Sequence, residues 1–313
     1  MIKISAALAV LALASPAVPS LPGGATGDGG YEFAVIADTS YRPPQEEEFM
    51  RLRKEMNEED LAFTLHLGDV IGRGPCSDER LIAVRDSFDE FEDPLVYTPG
   101  DNEWTDCHRT QEDPLERLTA LRRIFFADDR SQGERKLTVT RQAGYPENAR
   151  WALGPVTFAT IHVVGSQDGF GRAPDGDGEQ QARRQAVVGW MDETVRAAAD
   201  AGHHGVVLAM QADPGFEFPG SPLRQVYDDL IAAFEQQARA FPGQVVLIHG
   251  DTHYFRVDKP FIGPADGAPR LDNFTRVESF GDPDTHWLRI RVEPDRPELF
   301  DVRWEIVESN RAR

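Results

Sequence analysis

Short uninterrupted apolar runs alternate along the chain with longer stretches in which apolar positions recur every three or four residues. The uninterrupted runs fall at 33–37, 61–67, 95–98, 156–164, 205–210 and 244–249. They are rich in Val, Ile, Leu and Phe, the reading expected of strands buried on both faces. Helical patterns lie between most of them, at 45–57, 78–91, 114–126, 180–201 and 222–240. Strands alternating with helices predict βαβ units and a mainly parallel sheet, hence an α/β fold. After Asp251 the runs at 254–257, 274–280, 287–292 and 300–306 follow one another without helices, and predict an antiparallel section that closes the domain. The stretch 168–179, rich in Gly and Asp, reads as a loop. No internal repeat and no second-domain linker interrupts the pattern.

Composition supports one well-filled domain: 313 residues, 40% hydrophobic and 9% aromatic, argue for a sizeable core and against global disorder. The formal charge of −20 changes the picture more. Such a chain repels a nucleic-acid backbone or an anionic membrane, so neither is expected as a partner. It offers no average attraction to a phosphorylated substrate either. Positive potential for a phosphate would have to come from metal ions, helix N-termini or a few arginines. At the N-terminus, Lys3, the apolar run 4–14 and the small residues Ala12, Ala14, Ser15 and Ala17 have the form of an export signal. The run is well short of the roughly 20 residues of a spanning helix. We therefore expect a signal peptide at 1–20, a Pro/Gly-rich spacer at 21–30 and a single domain at 31–308. The mature protein is expected in the periplasm or outside the cell, without membrane insertion after signal cleavage. In that oxidising setting Cys76 and Cys107, the only two cysteines, are expected to form a disulfide.

Binding groups of open α/β sheets gather at the carboxyl ends of strands. Those positions carry Asp38-Thr39-Ser40, Gly68-Asp69, Gly100-Asp101-Asn102-Glu103-Trp104, Gln211-Ala212-Asp213 and Gly250-Asp251-Thr252-His253. Each alone reads as a cap or a turn. Together they put several oxygen donors and an imidazole on one edge, which suits a hard divalent cation; otherwise like-charged carboxylates are costly neighbours.

The runs LHLGDVIGRG, VYTPGDNEW and VVLIHGDTHYF, in this order and spacing, resemble the calcineurin-like metallophosphoesterase family over about residues 31–260. That family's motifs are Asp-x-His, Gly-Asp, Gly-Asn-His-Glu/Asp, a lone His and Gly-His-x-His. The resemblance implies a four-layer α/β/β/α sandwich, with two metal ions that bind a phosphoester and activate a water. Asp38, Asp69 and His253 fall on three ligands of one metal, and Ser40 stands where that site's other histidine belongs. For the second metal, Asp101 replaces the asparagine, Gln211 or its neighbour the lone histidine, and Asp251 the first histidine of the last motif. Asn102 occupies the place of the histidine that protonates the leaving group, and Glu103 that of the acid which orients it.

Imidazoles are thus lost and carboxylates gained, which favours Mn²⁺, Mg²⁺ or Ca²⁺ over Zn²⁺ if one or two ions are kept; the other reading is an empty site. His108 is the nearest substitute acid, with Arg109 beside it as a phosphate clamp. A Cys76–Cys107 bridge would hold both next to the Gly68-Asp69 loop. Two functions follow: a metal-dependent hydrolase of a small phosphoester, or a non-catalytic binding protein on the same fold. No nucleophile elbow, P-loop, CxxC or HExxH competes with them.

Overall fold

The computed structural model describes residues 29–72, 74–261 and 270–311. The expected signal peptide and most of the spacer lie outside the described residues. Twelve strands form two sheets. They are β1 Tyr31–Ile36, β2 Thr64–His66, β3 Leu95–Tyr97, β4 Thr140–Gln142, β5 Tyr145–Leu153, β6 Val156–Thr160, β7 Gly205–Ala209, β8 Gln244–His249, β9 Arg256–Asp258, β10 Phe274–Glu278, β11 Trp287–Val292 and β12 Phe300–Glu305. One sheet runs β12-β11-β1-β2-β3 and the other β4-β5-β6-β7-β8-β10-β9.

Strand alternation builds the layers. Along β1, Tyr31, Phe33 and Val35 point between the sheets, whereas Ala34 and Ile36 face outward. The outward side chains pack against the helices Pro43–Asn57, Asp78–Phe88 and Pro114–Phe125, through Leu52, Leu81 and Leu121 among others. Along β7, Val207 and Ala209 enter the inter-sheet layer, while Val206 and Leu208 meet the helices Gly176–Asp200 and Asp228–Ala240. The result is helix, sheet, sheet, helix, with the central strands of each sheet buried on both faces. A fully buried Phe or Leu contributes about 1.5–3 kcal/mol, so rings such as Phe33, Phe63 and Phe158, stacked between the sheets, supply much of the cohesion.

Three expectations are corrected, and one element that the apolar pattern did not mark is added. Neither sheet is simply parallel: β1, β2, β3 run parallel, as do β6, β7, β8, β10, and antiparallel strands flank both groups. The closing section is therefore not all antiparallel, because β10 joins β8 in parallel. The hairpin β4–β5 carries no apolar run, since β5 buries Glu147 and Asn148 in its centre. Glu147 is satisfied there by Arg122 and His162, and Asn148 Oδ1 accepts the His162 backbone N–H. Finally, residues from Gly176 onward are helical rather than loop: Asp177 and Glu179 suit the positive helix N-terminus, although the glycines hide the element from propensity.

Candidate functional site

The ends of β1, β2 and β3 on one sheet face those of β7 and β8 on the other, and backbone groups stitch them together. Asp38 N–H donates to the Gly68 carbonyl at 3.1 Å, and Gly250 N–H donates to that of Gln211 at 3.0 Å. Asp251 N–H donates to Asp38 Oδ2 at 3.1 Å, joining the two sheets through a side chain. Asn102 N–H donates to Asp69 Oδ1 at 3.1 Å. Gly100 lies so close to the Asp69 carboxylate that any Cβ would collide with it. Asp38, Asp69, Asp251 and His253 all have left-handed backbones, at φ 52°, 54°, 80° and 61°. Such strain in non-glycine residues clusters at functional sites.

The Tyr41 hydroxyl sits among the first set of expected ligands. It is 3.1 Å from Asp69 Oδ2, 3.3 Å from Asp38 Oδ1 and 3.4 Å from His253 Nε2. His253 Nδ1–H donates to the Asp282 carbonyl at 2.6 Å, leaving Nε2 directed at the cluster, 3.6 Å from Asp38 Oδ1. Burial opposes charge on His253, but the Asp38 carboxylate outweighs it and pushes the imidazole up to about 9. Asp38 and Asp69 are buried and raised, first by desolvation; Asp101, Glu103 and Asp251 add repulsion at Asp69. Asp251 is held well above the carboxylate range by its low-dielectric surroundings and by Asp101. Among the described residues, no Lys or Arg pairs directly with Asp38, Asp69, Asp101 or Asp251.

In kind, this donor set fits a hard divalent cation: buried carboxylates short of positive charge, and an imidazole whose far N–H is anchored on a carbonyl. In spacing, no group of three or more His, Cys, Asp or Glu among the described residues is close enough to hold an ion, and Tyr41 stands in the first position. The Gln211 side-chain oxygen Oε1 takes the Gly165 N–H at 2.6 Å, and its buried Nε2 has no partner.

The expected bridge is present: Cys76 and Cys107 are disulfide-bonded, with Cα atoms 5.8 Å apart. It does not deliver the neighbouring side chains to the carboxylates. His108 Nδ1–H donates to the Thr105 carbonyl at 2.7 Å, and Arg109 pairs with Asp106 at 2.5 Å. Neither bonds to Asp38, Asp69, Asp101 or Asp251. Glu103 is spent structurally rather than on orienting a neighbour. It accepts the Val70 N–H at 2.8 Å, the Gly100 N–H at 3.1 Å and the Tyr97 hydroxyl at 3.1 Å, while burial raises it to about 7.

Several participants escape motif reasoning. Tyr41 follows Ser40 directly, where an aromatic residue reads as packing. Asp106, two residues beyond Trp104, accepts the Ser166 hydroxyl at 3.2 Å and feels the Arg172 charge. Ser166, Gln167 and Asp168 form a left-handed turn, at φ 50°, 58° and 56°, that brings Gly165 against the Asp251 carboxylate. A Cβ on Gly165 would sit 2.6 Å from Asp251 Oδ1.

No protein-family model matches the chain, and no curated protein sequence matches it. Among solved structures, one assigned as a 5'-nucleotidase from Staphylococcus aureus, in complex with alpha-ketoglutarate, superposes with a TM-score of 0.50 at 14% identity, covering 88% of this chain and 53% of the other. A 5'-nucleotidase from Candida albicans SC5314 superposes with a TM-score of 0.48 at 11% identity, covering 89% and 51%. The chain therefore spans about half the length of these structures. The Staphylococcus match shows the fold: a metallophosphoesterase-type α/β/β/α sandwich.

Proposed function

We propose that this chain hydrolyses a small phosphoester at the strand-end edge and does so with a divalent cation. One observation carries the reading: four carboxylates from four strand ends gather there with a single imidazole and no direct Lys or Arg partner. Asp38, Asp69 and His253 would hold the cation, with Asp101 and Asp251 beside it, after a rearrangement that draws them together and moves the Tyr41 hydroxyl from their midst. When bound, it would neutralise phosphoryl oxygens and lower the pKa of a water. In the reaction a water oxygen bonds to phosphorus, the ester P–O bond breaks, and the leaving oxygen takes up a proton. The His253 Nδ1–H on Asp282 fixes the ring, the Asn102 N–H fixes Asp69, and His108, with Nδ1 anchored on Thr105, keeps Nε2 for proton transfer. The substrate class is the part of the reading that the nucleotidase likeness leaves open. Work outside the cytosol belongs to the same proposal, supported by the disulfide and the signal-like N-terminus.

A second reading, a non-catalytic binding protein, is favoured by the Tyr41 hydroxyl in the first cation position and by Asn102 in place of the acid. One experiment separates the two. Purified protein is analysed for metal, then assayed on generic phosphomonoesters and phosphodiesters with Mn²⁺, Mg²⁺ or Ca²⁺. Turnover that Asp69→Ala abolishes and the surface change Glu235→Ala spares is the expected result. No retained metal and no turnover with any ion would leave the binding protein.

A further inference from the structure

Beside Asp251 opens a cleft of about 520 Å³, a volume suited to a small organic ligand. One wall is the left-handed turn, which presents Ser166 and Gln167. The other is the segment after β7, which presents Pro214, Phe218 and Leu223. Phe218 and Leu223 are 63% and 64% exposed, large apolar side chains left in water at the mouth of a polar site. Arg172 lines the same cleft, and its guanidinium has no hydrogen-bond or ion-pair partner among the described residues, although its charge reaches Asp106.

Both walls are built rather than loose. Three consecutive non-glycine residues in the left-handed region are costly and persist only where their surroundings hold them. The turn is held by Asp168, fully buried, whose carboxylate takes Arg183 at 2.6 Å, Arg184 at 2.5 Å and Gln180 at 3.1 Å. Tyr227 completes it, donating to the Val164 carbonyl at 2.7 Å and accepting the Asp168 N–H at 3.0 Å. Opposite, Gly215 N–H donates to Asp213 Oδ1, Phe218 N–H to the Gly215 carbonyl and Ser221 N–H to the Phe218 carbonyl, at 2.9, 3.0 and 3.0 Å. Asp213 N–H in turn donates to Asp251 Oδ2 at 3.0 Å, so the apolar wall is tied to the carboxylate edge.

We propose that this cleft is the specificity pocket for the substrate's organic group, and that it takes a flat aromatic ring. The ring lies against Phe218 and Leu223, with the phosphoryl end toward Asp251 and within reach of Arg172. A ring face gains burial and stacking from that wall, which a small hydroxyalkyl group does not. The inference rests on the phosphoester reading for the identity of the anionic end.

The test uses two uncleavable probes, phenylphosphonate and methylphosphonate, titrated into the whole protein and followed by ligand-observed NMR. Phenylphosphonate is expected to bind about tenfold more tightly. Phe218→Ala with Leu223→Ser should erase that margin and leave methylphosphonate unchanged, while Arg172→Gln should weaken both probes. Both apolar positions are exposed, so an unchanged melting midpoint verifies the fold of the double variant. Equal affinity of the probes for the native protein, or a margin that survives the double substitution, overturns the proposal. The readout is binding, so the two readings fail separately. A margin without turnover of any ester removes the hydrolase and keeps the pocket; turnover without a margin does the reverse.

Discussion

At the scale of single residues, Tyr41 decides how the edge handles charge. Its hydroxyl lies between Asp69, Asp38 and His253, and burial beside two carboxylates raises the phenol well above its usual range, so it stays a donor. Tyr41→Phe removes a hydrogen bond to a charged acceptor, a loss of ~1.5–3 kcal/mol. It also leaves the carboxylates more dependent on a cation. Thermal unfolding with and without Mn²⁺ should show a lower midpoint for the variant in chelator and a larger rise on adding metal than the native protein shows. An equal rise in both proteins would mean that the hydroxyl does not compete for the cation position. Glu147 gives a pH prediction away from the site. Burial would raise it, but the hydrogen bond from His162 and the Arg122 guanidinium outweigh burial and depress it from 4.5 to about 2. His162 is itself pushed down by burial; its Nδ1 lies 2.9 Å from Glu147 Oε1, and the Arg122 guanidinium donates to the same carboxylate at 2.7 Å. Between those two pH values the unfolded chain binds a proton that the folded chain does not, so stability falls as pH drops from 4.5 toward 2. Urea unfolding of Glu147→Gln should show a shallower loss across that window, on top of a lower stability at neutral pH.

At the scale of elements, the turn Ser166–Asp168 is the least regular piece of backbone near the site and depends on buried charge. Arg183→Met removes one partner of Asp168 and leaves Arg184 as the one guanidinium on that carboxylate, in a place where breaking a buried pair costs about 3–5 kcal/mol. The urea midpoint should fall accordingly, and phenylphosphonate binding should weaken because Ser166 and Gln167 lose their support. Retained binding at reduced stability would show that the turn does not shape the cleft. The same elements show what sequence makes legible. β1, β7 and β8 read plainly, since both faces are apolar: Val206 and Leu208 face helices while Val207 and Ala209 face the other sheet. β5 does not, because it buries the polar Glu147 and Asn148 on opposite faces, satisfied only by partners elsewhere in the chain. The carboxylates at the strand ends are legible for a related reason: each follows a readable strand. Tyr41, Asp106 and Arg172 are not, because their roles come from where separate loops meet, which no local period records. The partners of Arg109 and Glu103 are equally illegible, each side chain being engaged by a neighbour, Asp106 or the Val70 and Gly100 amides.

At the scale of the whole molecule, 53 Asp and Glu against 33 Lys and Arg leave a net charge of −20, and the strand-end edge adds its own unpaired carboxylates. A phosphoester approaching through water therefore meets an average repulsion, and only within the cleft does it reach Arg172. Most enzymes of anionic substrates steer them in, and salt slows that capture. Here the sign is reversed. Raising monovalent salt from about 0.01 M to about 0.15 M shortens the Debye length from ~30 to ~8 Å, which screens the distant charges and leaves the contacts inside the cleft largely intact. If the proposed activity is present, kcat/KM for a dianionic phosphomonoester should rise across that range by up to about tenfold, while kcat stays nearly constant. A neutral phosphotriester should show no such rise, because it carries no charge for the field to act on. A fall in kcat/KM for the dianion would mean that a local positive field outreaches the net charge, and would place more cationic groups along the approach than Arg172 alone.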